Sequence, residues 1–191
     1  MPSPGPSDVE DVLSFDGLAD RHPGLTHDMA GCYVEAARVC LDRYHDTPTI
    51  RLRIDVDGEE RACRLRWEPA GDDVRRAHAN DIDAAETGAY AVASVCVEWA
   101  LRLVIIGRAE HATGVDWYVA PPGCGLDADG VPDLDDPAVR LLEVSGQGLG
   151  SIGARVTIKS RQVAGSGLSL PGLTIVVGFQ RGVVRIVSTG A

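Results

Sequence analysis

VRLLEVSG, residues 139–146, predicts a buried β-strand with a carboxylate in its middle. The run is too apolar to be a strand at the solvent-exposed edge of a sheet. Burying an unpaired carboxylate is costly, so Glu143 must either pair with a cation in the core or face a cleft. Functional groups of an open sheet gather near the carboxyl ends of its strands, and Gly146 ends this strand. Its position therefore makes Glu143 a candidate functional residue.

Helices and strands are predicted on both sides of this run. Helices are expected over residues 27–45, 81–106 and 151–163, and strands over residues 49–57, 61–67, 115–120, 139–145, 173–179 and 183–188. This order predicts an α/β fold, with a mixed central β-sheet flanked by helices. Residues 1–25 contain four prolines and scattered acids, so we expect a flexible N-terminal arm followed by a single domain over residues 26–191.

Charge is distributed unevenly along the 191 residues. The formal net charge is −10, but residues 151–191 hold five basic residues and no acid, so the first 150 residues carry −15. An acidic chain of this kind does not bind nucleic acid strongly with its whole surface. We therefore expect weak intrinsic binding to nucleic acid, with any phosphate-bearing ligand at the C-terminal part of the chain.

The only lysine, Lys159, is unusual because the other 17 basic residues are arginines. In its predicted helix it falls on the apolar face, in line with Val156 and Val163. A lysine there either reaches solvent past the edge of the apolar stripe or extends inward toward Glu143. A purely structural ion pair between Lys159 and Glu143 explains the pattern as well, and these interpretations stay open.

Two further carboxylates lie on predicted elements of the core. Asp116 alternates with Tyr118 in the strand 115–120, and Glu86 falls outside the polar stripe of the helix 81–106. Glu86 is equally explained as a residue at the edge of the apolar face that reaches solvent. Neighbouring carboxylates raise each other's pKa unless a cation lies between them. Mg²⁺ takes carboxylate, water and phosphate oxygens, and a nearby ammonium can orient attacking water.

Four stretches together resemble a known family: ETGAY (86–90), TGVDWY (113–118), LLEVSG (141–146) and KSRQ (159–162). They resemble the PD-(D/E)XK phosphodiesterase superfamily, in which a helix with a Glu precedes a strand with the Asp, a strand with Glu-x-Lys and a further helix. The Lys position of that pattern is Ser145 here. Some members carry the Lys on the next helix, where this chain has Lys159.

The resemblance implies a restriction-endonuclease-like fold and a Mg²⁺- or Mn²⁺-dependent nuclease, or a nuclease-like subunit of a larger system. It implies Glu86, Asp116 and Glu143 as metal ligands. The catalytic set is then Asp116, Glu143 and Lys159, with Lys159 orienting the attacking water.

The alternative is a catalytically inactive α/β protein-binding module or an oligomeric subunit of a larger complex. The predicted strands 173–179 and 183–188 are apolar on both faces. If their edges are exposed, they would pair across a homodimer.

Other motifs support different chemistry less well. Residues 148–153 (GLGSIG) match G-x-G-x-x-G, but no acid follows Glu143 to bind the ribose of a dinucleotide. The acidic loop 121–138 lacks the spacing of a calcium loop, and the five cysteines contain no C-x-x-C pair for zinc. His111 is near Asp116 in sequence and is a candidate for lining the cleft. No apolar run reaches the about 18 residues of a membrane span, so we expect a cytoplasmic protein.

Overall fold

A mixed β-sheet of eight strands organises the chain in the computed structural model, which describes residues 10–110 and 114–190. The strands are β1 (Val12–Leu13), β2 (Thr49–Val56), β3 (Glu59–Arg66), β4 (Val104–Arg108), β5 (Trp117–Ala120), β6 (Arg140–Gln147), β7 (Gly172–Gly178) and β8 (Val183–Thr189). The helices are α1 (Leu18–Arg21), α2 (His27–Tyr44), α3 (Asp72–Ala77), α4 (Asp81–Leu101) and α5 (Gly153–Ala164). The predicted α/β class, with a mixed sheet and flanking helices, is confirmed.

The strand order is β1-β3-β2-β8-β7-β6-β5-β4, so the C-terminal strands lie inside the sheet. β7 pairs with β6 and β8, and β8 pairs with β7 and β2. Neither strand therefore has a free edge. The condition for pairing across a homodimer through these strands, exposed edges, is therefore not met, and a homodimer itself stays a prediction.

Different helices cover the two faces of the sheet. α2 and α4 pack on the face that includes Leu142 and Val144 of β6. α5 packs on the opposite face, which includes Leu141. Because side chains alternate along a strand, Glu143 and Ser145 also face α5, and each contacts a side chain of that helix. The helix that carries Lys159 thus lies directly over the strand that carries Glu143.

Gly146 allows α4 to approach β6 at backbone distance. A Cβ at this position would lie 1.8 Å from the carbonyl oxygen of Ala85, a distance that no side chain can occupy. Gly88 plays the same part between the helices, since a Cβ there would lie 2.6 Å from the backbone nitrogen of Ala37 in α2. Glycine at these two positions sets how closely α2, α4 and the sheet pack.

Residues 10–25 belong to the folded body and do not form the flexible arm that the prolines suggested. β1 pairs in parallel with β3, and the side chains of Phe15, Leu18 and Leu25 are buried. The apolar residues of this segment are too few and too irregularly spaced to show a helical or strand period, so the sequence pattern alone does not predict that the segment is folded. Residues 1–9 lie outside the described residues.

The helix predicted over residues 81–106 ends earlier, at Leu101, because the chain turns there. Arg102 adopts a left-handed conformation with φ 57°, and β4 follows as a strand antiparallel to β5. Apolar residues continue through both elements, so a helical stripe and a buried strand cannot be separated by periodicity. The β-branched residues Val104, Ile105 and Ile106 favour the strand.

The five cysteines are all free thiols, and Cys40, Cys63 and Cys96 are buried. Burial raises the pKa of the Cys40 and Cys63 thiols to about 12, so both behave as small apolar side chains.

Across residues 10–110 and 114–190, the helices are too short or too polar to cross a membrane.

His22 holds the N-terminal segment against the outer edge of β4. Its Nδ1 accepts a hydrogen bond from the N–H of Ile105 at 3.0 Å, and the N–H of Gly24 donates to the Ile105 carbonyl at 2.9 Å. The imidazole is fully buried, and burial lowers its pKa to about 4. Glu98, whose Oε2 lies 3.6 Å from Nε2, opposes this shift only in part.

We expect the free energy of unfolding to fall as the pH drops from about 6.5 to about 4. The pKa of His22 is lower in the folded chain, at about 4, so the unfolded chain takes up the proton first. The stabilisation is complete above about 6.5 and is lost below it, by roughly 3 kcal/mol at most. Urea unfolding at about pH 7 and about pH 4.5 should show a smaller loss of unfolding free energy for His22→Asn, whose side-chain oxygen takes the place of Nδ1 as the acceptor for Ile105. An equal loss in both proteins would exclude His22 as the cause, and His27→Gln, at an exposed position, is the control.

Candidate functional site

A cleft of about 600 Å³ opens between β4, β6 and α5. Its lining comprises Arg108, Ala109, Glu110, Gly114, Val115, Asp116, Glu143, Lys159 and Gln162. The three residues predicted as the catalytic set, Asp116, Glu143 and Lys159, therefore meet in one cleft. His111, which was a candidate for lining it, lies outside the described residues.

Glu143 and Lys159 form a direct ion pair beneath α5. Lys159 Nζ lies 2.5 Å from Glu143 Oε1 and 3.3 Å from the side-chain oxygen of Gln162. The Glu143 side chain is 3% exposed and that of Lys159 is 24% exposed, so the carboxylate is buried while the ammonium reaches the cleft. α5 takes this position because Val156 and Val163 are buried on the same helix face.

Asp116 is fixed at the point where β5 begins. Its backbone N–H donates to the carbonyl of Leu142 at 3.0 Å, but β5 starts only at the next residue. The Asp116 side chain therefore supplies the acceptor that a backbone carbonyl would provide in a longer strand: Oδ2 accepts from the N–H of Val144 at 2.9 Å. Oδ1 accepts from the hydroxyl of Tyr90 at 2.8 Å. Arg108 approaches the same Oδ1 at 3.6 Å.

The Asp116 carboxylate lies near enough to Glu143 to act on its ionisation. Burial, the largest cause, and the charge of Asp116 raise the pKa of Glu143 to about 7. The bond from Lys159 and its positive charge lower the pKa, but they do not cancel these effects. Near neutral pH, Glu143 is therefore partly protonated, and a cation beside its carboxylate would take the proton's place.

Glu86 does not line this cleft, so the structure does not bring it together with Asp116 and Glu143. It lies on α4 and is exposed, with Oε1 3.5 Å from Arg155 Nη1. Its neighbour Ala85 packs against Gly146, on the face of β6 opposite to Glu143. Among residues 10–110 and 114–190, no group of three or more His, Cys, Asp or Glu side chains is placed to hold a metal ion.

Tyr90, Arg108 and Gln162 belong to the site although sequence reasoning gave them no role. Tyr90 follows Glu86 by one helical turn in α4, and burial and the charge of Asp116 raise its pKa well above the usual value of tyrosine, so its hydroxyl stays a donor. Arg108 is not found from the sequence because the predicted helix 81–106 covers most of β4, so the strand that carries Arg108 is not predicted. Gln162 had the clearest signal, because it lies one turn after Lys159 on the same helix face.

The competing motifs have structural explanations. Gly148 of the G-x-G-x-x-G match packs against Tyr44, where a Cβ would lie 2.6 Å from the hydroxyl. In the acidic loop, the carboxylates of Asp127, Asp133 and Asp136 accept hydrogen bonds from backbone N–H groups of the loop itself. These contacts stabilise turns.

Comparison of the chain with protein-family models, with curated proteins and with solved structures gives no match. What the site can do therefore has to be argued from its own geometry and chemistry.

We expect Glu143→Gln to gain stability relative to the wild type as the pH rises. The pKa of Glu143 is raised in the folded chain to about 7, so its contribution is complete below the unfolded value of 4.5 and is lost as the pH rises through about 7. Between about pH 5 and about pH 8, the difference in unfolding free energy should shift by roughly 2 kcal/mol in favour of the variant, measured by urea unfolding.

Glu86→Gln is the matched control for this measurement, since it removes an exposed carboxylate of α4. A Glu143→Gln difference that is the same at both pH values would show that this carboxyl ionises normally in the folded chain.

Proposed function

We propose that the chain is a metal-dependent nuclease, or a nuclease-like subunit, that hydrolyses nucleic-acid phosphodiesters. The observation that supports it is the convergence of Asp116, Glu143 and Lys159 in one cleft. Two carboxylates and one ammonium, brought together from a loop, a strand and a helix, are the residue types that such hydrolysis needs.

The donor set fits a Mg²⁺ or Mn²⁺ ion held by Asp116 and Glu143. Mg²⁺ is commonly bound through one or two carboxylates, with water and substrate phosphate filling the other positions. Burial raises the pKa of Glu143, and the charge of Asp116 adds to this effect. A divalent cation would relieve the repulsion between the two carboxylates. Glu86 is too remote to serve as the third ligand.

Lys159 is the residue that we assign to the attacking water. Its ammonium donates to Glu143 and Gln162 at the cleft lining. Its helix, α5, is fixed on the sheet by buried valines. A fixed ammonium can donate a hydrogen bond to water and keep its oxygen aligned for attack. Gln162 supports this orientation from the next turn and also donates to the carbonyl of Gly114 at 2.5 Å.

The reaction is an in-line displacement at phosphorus. Water forms the new P–O bond, the ester P–O bond breaks, the proton of the attacking water passes to solvent, and the leaving oxygen takes up a proton. A bound divalent ion would offset the charge that develops on the phosphate and lower the pKa of water. Tyr90 and the N–H of Val144 hold the Asp116 carboxylate in place for this ion.

The charge distribution is consistent with a nucleic-acid ligand at this cleft. The formal net charge of the chain is −10, which opposes tight binding over the whole surface, while residues 151–191, which include α5, carry +5. We therefore propose weak intrinsic binding of DNA or RNA, with affinity supplemented by a protein partner.

A second candidate is a binding protein without catalysis, the alternative kept from the sequence. The contact of 2.5 Å between Lys159 and Glu143 favours it, because this ion pair gives the buried carboxylate a partner within the protein. In this case the two residues stabilise the packing of α5 on β6, and the cleft has no ion to bind.

We expect the wild type to cleave labelled DNA or RNA with Mg²⁺ or Mn²⁺ and not with EDTA. Asp116→Asn, Glu143→Gln and Lys159→Met should each lower the cleavage rate by about 10²-fold or more, because each removes an ion ligand or the group that orients water. Single-turnover cleavage of an end-labelled oligonucleotide measures the rate.

Two matched variants serve as controls for cleavage. Glu86→Gln and Arg161→Met remove charges on α4 and α5 that lie outside the cleft, and both should retain rates close to the wild type. Cleavage that survives Glu143→Gln and Lys159→Met would place the chemistry elsewhere in the protein. A folded wild type that cleaves neither polymer with any divalent ion would favour the binding protein.

Direct titration with Mn²⁺ tests the ion independently of cleavage. We expect calorimetry to detect binding by the wild type and by Glu86→Gln, and Asp116→Asn and Glu143→Gln to weaken it by more than about tenfold. Equal Mn²⁺ affinity in all four proteins would remove the metal from this site.

A further inference from the structure

Arg108, the last residue of β4, has a side chain that is 53% exposed and a guanidinium that contacts two aromatic rings. Its Cζ lies 4.7 Å from the ring centroid of Trp117 and 5.8 Å from that of Tyr90. Trp117 is fully buried and Tyr90 is bound to Asp116, so both rings are held in place. Cation–π contacts with fixed rings restrict where this guanidinium can lie.

The pairing of Arg108 with Asp116 does not explain this arrangement. Asp116 already accepts hydrogen bonds at 2.8 Å and 2.9 Å from Tyr90 and Val144, whereas Arg108 stays at 3.6 Å. Half-exposed ion pairs of that length contribute little to stability. A guanidinium has several N–H donors, and those not directed at Asp116 or Tyr90 are available at the cleft wall that Arg108 lines.

Arg108 also differs from the other cation of the cleft. The ammonium of Lys159 is engaged by Glu143 and Gln162, so its donors are largely used within the protein. Within residues 10–110 and 114–190, the guanidinium of Arg108 forms an ion pair only with Asp116, at 3.6 Å. A planar, always charged fork that is positioned by aromatic rings suits an oxyanion with two oxygens to offer, such as a phosphodiester.

We propose that Arg108 is the phosphate-binding residue of this cleft and contacts a phosphodiester of a bound nucleic-acid strand. The inference rests on the proposed function, because it assigns the substrate contact of the same cleft. Lys159 then orients water, Asp116 and Glu143 hold the ion, and Arg108 holds the phosphate. Its guanidinium replaces the weak pairing with Asp116 by a charge-assisted contact to the substrate.

Binding without cleavage is the experiment that tests this assignment. Glu143→Gln, which is not expected to cleave, serves as the parent protein, and Arg108→Ala, Arg108→Lys and Arg161→Ala are added to it one at a time. Fluorescence anisotropy measures binding of labelled DNA and RNA oligonucleotides of one sequence, single-stranded and duplex, in EDTA over a range of salt concentrations. Circular dichroism and thermal unfolding verify that each variant is folded.

We expect Arg108→Ala to weaken binding about tenfold, as loss of a charged hydrogen-bonded contact does. The slope of log affinity against log salt should fall by about 0.9 for duplex DNA or about 0.7 for a single strand, the effect of one phosphate contact. Arg108→Lys should retain the slope but bind more weakly than arginine, because lysine lacks the planar fork. The preferred polymer identifies the substrate as DNA or RNA.

Arg161, an exposed residue of α5 outside the cleft, is the matched control. An affinity and a salt slope of Arg108→Ala equal to those of Arg161→Ala would overturn the proposal, as would a parent protein that binds none of the oligonucleotides. If Arg108→Lys lowers the salt slope as much as Arg108→Ala does, a positive charge at this position does not contact phosphate, and this result also overturns the proposal.

The two proposals can fail separately. Binding that depends on Arg108, in a wild-type protein that cleaves nothing with Mg²⁺ or Mn²⁺, supports the phosphate contact and rejects hydrolysis. Cleavage by a wild type whose oligonucleotide binding is insensitive to Arg108 supports hydrolysis and rejects this contact.

Discussion

The burial of one carboxylate between β6 and α5 is the constraint on which the site depends. Glu143 is nearly inaccessible to solvent, so its charge must be matched by groups of the protein or by a cation. Lys159 supplies part of that match, but burial, together with the charge of Asp116, outweighs it and raises the pKa of Glu143 to about 7. The charge of Glu143 is therefore incompletely matched near neutral pH, and the proposed divalent ion would complete the match.

The sequence predicts the centre of the protein better than its borders. The apolar run around Glu143 and the alignment of Lys159 with buried valines both follow from simple periods of 2 and 3.6 residues. The structure therefore brings Glu143, Lys159 and Asp116 together as expected. Periodicity does not separate α4 from β4, because apolar residues occur on both sides of Arg102. The turn between the two elements depends on the left-handed backbone conformation of Arg102.

Glu86 shows the limit of reasoning from a helical wheel. Its position off the polar stripe indicates that it differs from its neighbours, but the wheel does not tell which face of the sheet α4 will cover. That depends on long-range contacts, such as those of Gly146 with Ala85 and of Gly88 with α2. For the same reason, the role of residues 10–25 is visible only once His22 and Gly24 are seen bound to β4.

The contact between Gly146 and α4 makes the two sides of the sheet mechanically dependent on each other. α4 carries Tyr90, whose hydroxyl reaches past the start of β5 to the Asp116 carboxylate on the cleft. Any side chain at Gly146 would push α4 outward and withdraw that hydroxyl, although the substitution itself lies on the side away from Glu143. A glycine that contacts no polar group of the cleft would in this way govern the alignment of its carboxylates.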